Sequence, residues 1–472
     1  MRPNLAIAAA IATNRYGFGA RPGEIAAAAD DPRGWLLAQL RTAYRTSPEL
    51  EGLTPGREVL ATYLHAREER ADAKRTGRAE AALASRESMM PHYVAQAAAR
   101  TRIVLASGAS FRERLVHFWS NHFAVSIDKP VCLGLAGALE NEAIRPRVDG
   151  HFGDLLLAVE THPAMLLYLD NPASVGPNSE LAGRVARRAD RADRAVAPKR
   201  KLGLNENLAR EILELHTLGV GGGYTQADVT SFAGVTTGWS VGGGRGREAG
   251  GEPGAFVFRP ALHEPGSKVV LDRRYAESGL GQGEAVLRDL AQHPATARHL
   301  ATKLARHFVA DDPPAALVER LAAAYRGTGG HLPSVYESLI GWDGAWSTAQ
   351  PKFKTPVDFA YSALRALEIA PPQPKALLAN FEAVGQRHWM PGSPAGWPDH
   401  AHDWDGADAL MKRIEWSVAL AARTGEAHSA LATADEVLAP YASRHTRSQL
   451  ARAASGSQAL ALLLMSPEFQ RR

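Results

Sequence analysis

The segment LNENLAREILELHTLG, residues 204–219, decides the fold class. Read as an α-helix, Leu204, Leu208, Ala209, Ile212, Leu213, Leu215 and Leu218 sweep an arc of roughly 220°. A helix with so wide an apolar face is buried on most sides, and a chain achieves that by packing helix on helix. Gly219 and the run Gly221-Gly222-Gly223 close it. Inside the arc sit Glu211, between Leu218 and Leu204, and His216 with Asn205. Outside it, Glu206, Arg210 and Glu214 recur every fourth residue as a ladder of opposite charges. A carboxylate at an apolar border needs a partner, or its pKa rises. On a regular helix Glu211 and His216 point about 140° apart, so they do not chelate one ion without help from other helices.

Upstream, residues 111–127 carry a second pattern of this kind. Phe111, Leu115, Val116, Phe118, Trp119 and Phe123 fall within an arc of roughly 160°. His122 projects into the same arc, and so does Arg112. His117 and Asn121 lie on the other side with Arg114. A charged imidazolium is costly on an apolar face, so His122 is expected to be neutral and hydrogen-bonded.

The rest of the chain supports a mainly α protein. Its 472 residues are 45% hydrophobic and 22% charged, a globular composition. Helices are expected at 5–13, 22–42, over the Ala-rich and polar 57–106 (one or two long helices, more solvated arm than core), and at 133–146. A further helical stretch, 153–169, is interrupted at His162-Pro163. Thr225 to Asp228 reads as a capped helix start. Helices resume at 283–343, near 355–368, and from 406 onward. The whole chain, 1–472, reads as a single helical domain, a large multi-helix bundle with three departures. A basic loop at 180–203 contains Arg184, Arg187, Arg188, Arg191, Arg194, Lys199, Arg200 and Lys201 and reads as mobile and solvated. A Gly-rich insertion at 239–275 holds the small β-like pieces, Phe256 to Phe258 and Lys268 to Leu271. A loop at 385–405 concentrates Trp389, Trp397 and Trp404 among prolines and reads as a lid packed on the bundle.

Several function classes fall away. The single cysteine, Cys132, excludes an internal disulfide and a Cys-rich metal site. The charge of +4 is spread along the chain with no aromatic interleaving, so no nucleic-acid partner is expected. No stretch reaches the ~20 apolar residues of a membrane span. Neither Gly-rich run has the setting of a phosphate loop, and no nucleophile-elbow context occurs. The short apolar run from Leu5 lacks a cleavage pattern and reads as a first helix, which implies a cytoplasmic chain unless a signal-bearing partner exports it.

The segments HFWSNHF (117–123), NENLAREILELHTLGVGGGYTQADV (205–229), HPATARHLATKLARHFV (293–309), PAGW (394–397) and LLLMSPEFQ (462–470), with the opening IATNRYGFGARPGE (11–24), resemble the bacterial family called domain of unknown function 1800. The resemblance implies a helical fold built as one unit. It carries no established activity. It also implies a frequent neighbour, from domain of unknown function family 1501, that is sulfatase- or alkaline-phosphatase-like and carries a twin-arginine export signal.

The candidate site residues are therefore Glu211, His216 and His122, supported by Arg210, Glu206 and His263, the last in the loop His263-Glu264-Pro265-Gly266. Acid/base and metal-assisted hydrolysis both fit these residue types, with an envelope or extracellular polymer as the substrate class the resemblance suggests. The pattern names no cofactor and no metal, and is silent on oligomeric state. The rival reading is a non-catalytic partner of the sulfatase-like neighbour, with the buried polar groups serving packing alone.

Overall fold

Local signals start most helices where the sequence places them. Thr225 and Asp228 form a complete capping box on Gln226–Thr236. Ser429, Ser443 and Ser455 cap three of the last helices with their hydroxyls. His162 and His293, each before a proline, use ring nitrogens to cap Pro163–Tyr168 and Pro294–Phe308. The computed structural model describes residues 5–42, 46–75, 85–191, 202–243, 250–348, 352–369, 373–425 and 427–472. The fold is mainly α. Its four short strands, among the described residues, form two separate antiparallel hairpins. Strand β1 (Trp239–Val241) pairs with β2 (Phe256–Phe258), and β3 (Lys268–Val270) with β4 (Arg273–Tyr275). All four lie in the Gly-rich insertion.

The helix Ser110–His122, called here the central helix, has eleven buried residues, from Ser110 to His122. It sits in the larger of two apolar clusters. The smaller gathers Pro356–Ala366, Ala407–Thr424 and Gly456–Leu464. Helix Leu5–Asn14 stands between them, giving Ala8, Ile11 and Ala12 to the first and Ala9 and Ala10 to the second. Buried arginines pin the helices where apolar packing alone leaves register free. Arg145 meets Glu113 at 2.6 Å, Arg114 meets Asp358 at 2.7 Å and Arg365 meets Glu24 at 2.8 Å. Arg112, inside the apolar arc by pattern, is buried against Asp149 at 3.0 Å.

Three expectations change. Within the 57–106 stretch the described residues form Gly56–Arg75 and Ser85–Ala106, and the latter is core rather than solvated arm for much of its length, burying Met89, Tyr93, Ala97, Arg100 and Thr101. Its polar residues Gln96 and Arg100 find their partners on Gly134 and Glu140. The basic loop opens with a helix, Glu180–Arg191, while Arg194, Lys199, Arg200 and Lys201 lie outside the described residues. Finally, 204–219 is not one regular helix. Asn207–Glu211 is α, Ile212–His216 is a π-helical turn, and Leu218 N–H reaches Leu213 O five residues back at 3.0 Å. A similar wide turn, Leu139–Ile144, replaces the expected regular helix before Pro146.

Candidate functional site

The central helix divides its polar residues between two faces. On the inner face His122 is buried against Trp119, Phe123 and Phe152. Its Nε2 lies 3.1 Å from His216 O, so Nε2 carries the proton and donates, and Nδ1 is left without a partner among the described residues. Burial holds the ring well below the ordinary histidine range, and it is neutral. His216 stands on the π turn, its ring centroid 6.1 Å from that of His122. Its Nδ1 lies 2.8 Å from Oε1 of Glu160, the last residue of helix Phe152–Glu160, and both side chains are sealed from solvent. The approach is off the hydrogen-bond line, so His216 Nε2 and both Glu160 oxygens remain without a well-aligned partner.

The widened turn corrects the 140° estimate. Five-residue spacing nearly closes a π-helical turn, so Glu211 and His216 come to the same side. Glu211 is half-buried; burial raises its pKa while the nearby His216 opposes the shift. The trio Glu211, His216 and His122 is thus brought together, and sequence reasoning missed its fourth member, Glu160. The supporting residues are placed elsewhere. Glu206 and Arg210 join Gln226 and Thr230 in a network at the protein surface that ties two helices together. Hydrogen bonds from Thr230 and Gln226 hold the Glu206 carboxyl below its usual range. His263 is buried, its Nδ1 donating to Thr237 O at 2.9 Å; it pins the loop to the end of the preceding helix. Loop position suggested function there; Nδ1 is spent on backbone, while Nε2 stands 3.5 Å from Glu277 Oε1 without a well-aligned hydrogen bond. Cys132 is buried too, its thiol pushed up to about 12 by burial.

The outer face is different. His117, Ser120 and Asn121 line a cleft of about 90 Å³, with room for several waters or one small polar group. The 385–405 loop forms its far wall and packs on the bundle, as the sequence suggested. Asn121 clasps Trp397 through both backbone groups, at 2.8 and 2.7 Å. Ile127 N–H donates to Trp389 O at 2.8 Å. Gly396, at φ +83°, passes so close that a Cβ there would lie 2.3 Å from Asn121 O. That contact explains the glycine in PAGW.

Two arginines and four more histidine or aspartate groups complete the cleft. Arg100 bonds Glu140 at 3.0 Å and donates to His388 Nδ1 at 3.1 Å. Arg114 is held by Asp358 and by Gly17 O. His117 packs on Phe18, is kept neutral by burial, and has no partner for Nε2. His307 Nδ1–H donates to the Asp399 carboxylate, its two oxygens at 3.0 and 3.2 Å, and His307 Nε2 meets no partner among the described residues. The neighbouring His307, then Lys352, hold the Asp399 carboxyl well below the ordinary range against the opposing effect of burial.

The two faces are joined by helix Pro294–Phe308. His299, Lys303 and His307 recur there every fourth residue, in one stripe. His299 donates from Nε2 to Leu215 O at 3.0 Å and lies 6.1 Å, ring to ring, from His122. Burial pushes His299 down to about 4 and Lys303 down to about 8. A polar seam therefore runs from Glu160–His216 past His122 and His299 to Lys303 and His307–Asp399. The segment quoted above as 293–309 contained this i, i+4, i+8 signal, which could have been read from it. Asp399 carried no such signal. Among the described residues no group of three or more His, Cys, Asp or Glu side chains is arranged to hold a metal ion.

Fold and site together define a helical protein with a buried polar seam that ends at a small cleft. The chain belongs to the family described as protein of unknown function DUF1800, whose model matches residues 11–471. No curated protein and no solved structure matches it.

Proposed function

We propose that the chain is an acid–base enzyme of the hydrolase type, working in the cleft on the outer face of the central helix, with His307 as the proton-transferring group. One observation carries this reading: His307 lines the cleft, Asp399 fixes it by Nδ1, and Nε2 has no partner among the described residues. An ionised Asp399 keeps the Nδ1–H tautomer, so Nε2 is the basic nitrogen. It accepts a proton from a bound water or hydroxyl, and Asp399 steadies the imidazolium that results. Arg100 and Arg114 supply positive potential for an anionic group or a developing oxyanion. The Glu160–His216–His122 cluster and Glu211 serve as the buried support of this seam. The size of the cleft restricts the reacting part to a small group, such as a substituent on the envelope or extracellular polymer suggested by family resemblance.

The test is hydrolysis of p-nitrophenyl acetate, phosphate and sulfate by the purified chain. Turnover of one of them should fall by about two to four orders of magnitude in His307→Asn, with the melting temperature little changed. Turnover that survives this substitution would remove His307 from the chemistry.

A second reading, an accessory partner of the family-1501 neighbour, is favoured by the exposed stripe Met411, Ile414 and Val418 on helix Ala407–Thr424. Stable co-purification of the two chains, with no hydrolysis by this one, would favour it, along with export of this chain by the signal-bearing partner.

A further inference from the structure

A buried guanidinium needs an anion, and Arg15 has none among the described residues. The residue is 2% exposed. Its Nη1 donates to Ala345 O at 2.6 Å, its Nε meets no acceptor, and the ionisable groups acting on it are tyrosines rather than carboxylates. Arg472 is close to the same state. It is buried, its Nε, Nη1 and Nη2 meet no hydrogen-bond acceptor, and Asp358 Oδ2, at 3.5 Å, is already held by Arg114 at 2.7 Å. Burying a cation without a counter-charge costs several kcal/mol.

Both arginines line one cavity of about 270 Å³, which shares no residue with the cleft on the central helix. Arg471 adds a third guanidinium to its wall. Among the described residues, the side-chain carboxylate on that wall, Glu468, is occupied by Ser443 N–H and the Thr446 hydroxyl. Leu438, Pro467 and the ring of Tyr441 make much of the remaining wall apolar.

We propose that this cavity binds a small organic monoanion, its carboxylate against Arg15 and Arg472 and its short apolar tail against Leu438, Pro467 and Tyr441. The planar guanidinium fork matches a carboxylate in two parallel hydrogen bonds. Burial of the tail adds the selectivity that charge alone does not give. Inorganic phosphate meets the arginines but leaves the apolar wall uncovered, so it binds more weakly than a carboxylate with a tail.

Isothermal titration of the intact protein with hexanoate, n-hexanol and inorganic phosphate tests this. Hexanoate should bind saturably at one site, tighter than phosphate, and hexanol should not bind there. Arg15→Gln should weaken hexanoate by about tenfold or more. Thr348→Trp should do the same by filling the cavity from its exposed residue, with no buried charge altered; it keeps the test valid if Arg15→Gln fails to fold. Absence of saturable hexanoate binding, hexanol binding as tightly as hexanoate, phosphate binding more tightly, or hexanoate affinity untouched by Thr348→Trp would each overturn the proposal.

Discussion

On one face of the central helix His122 is walled in by Trp119, Phe123 and Phe152; on the other, five residues back, His117 stands at the wall of a cleft. Both rings are neutral, and burial is the first cause in each case. The difference lies in what faces them. The inner face meets groups of the fold itself, Glu160, His216 and His299, with their geometry set by helix ends. The outer face meets a loop and an opening. A buried polar group walled in by its own fold contributes mainly to register and stability. A polar group at a cleft, oriented from behind, can exchange a proton with something that enters. Residue type does not separate the two cases; access does.

This contrast can be broken most directly at Asp399. Asp399→Asn removes the charge that orients His307 and should cut turnover by about two to four orders of magnitude. The proper measurement is kcat across pH, since an imidazole freed of its carboxylate also shifts the profile. A small change would put the outer face on the same footing as the inner one. Glu160→Gln is the counterpart on the inner face. It leaves His216 in a sealed site without its carboxylate, and chemical denaturation should show a loss of about 3 kcal/mol. A fall in turnover with unchanged stability would instead make the inner cluster part of the chemistry.

Acid sharpens the comparison further. Burial keeps His299 at about 4, against the usual histidine value near 6.5. On acidification the unfolded chain takes up the proton first. The stability carried by the neutral ring is complete above about 6.5 and is lost as pH falls to about 4, up to about 3 kcal/mol for this residue. His122, His117 and His388 act with the same sign. Urea midpoints between pH 7 and pH 4 should therefore drop, and the drop should shrink in His299→Gln. The smallest effect belongs to Glu211. Its pKa is raised, so the fold prefers it protonated, and stability declines as pH rises through the carboxylate range. Glu211→Gln should remove that decline and change stability at neutral pH by less than about 1 kcal/mol. A loss of 3 kcal/mol or more would mean that Glu211 holds a buried partner, as a packing role first suggested.

The apolar periodicity of 111–127 and 204–219 was enough to read a helix-on-helix fold, and it sorted His122 from His117 and Asn121 correctly, because side-chain direction on a helix follows from local spacing alone. The same spacing failed at Ile212–His216. Whether a helix widens by one residue depends on what it packs against, and the ideal angle then misjudges Glu211 and His216. That the Trp-rich segment packs on the bundle was legible, because tryptophans and prolines without periodicity must pack on something else. The partners that give the polar residues their roles were beyond reach. His307 and Asp399 are 92 residues apart, and Glu160 meets His216 only because two helix ends converge. Local sequence determined which residues form helices and which face each side chain takes. Tertiary structure alone decided which face was sealed and which opened to a cleft, since burial and pairing depend on elements brought together from distant parts of the chain.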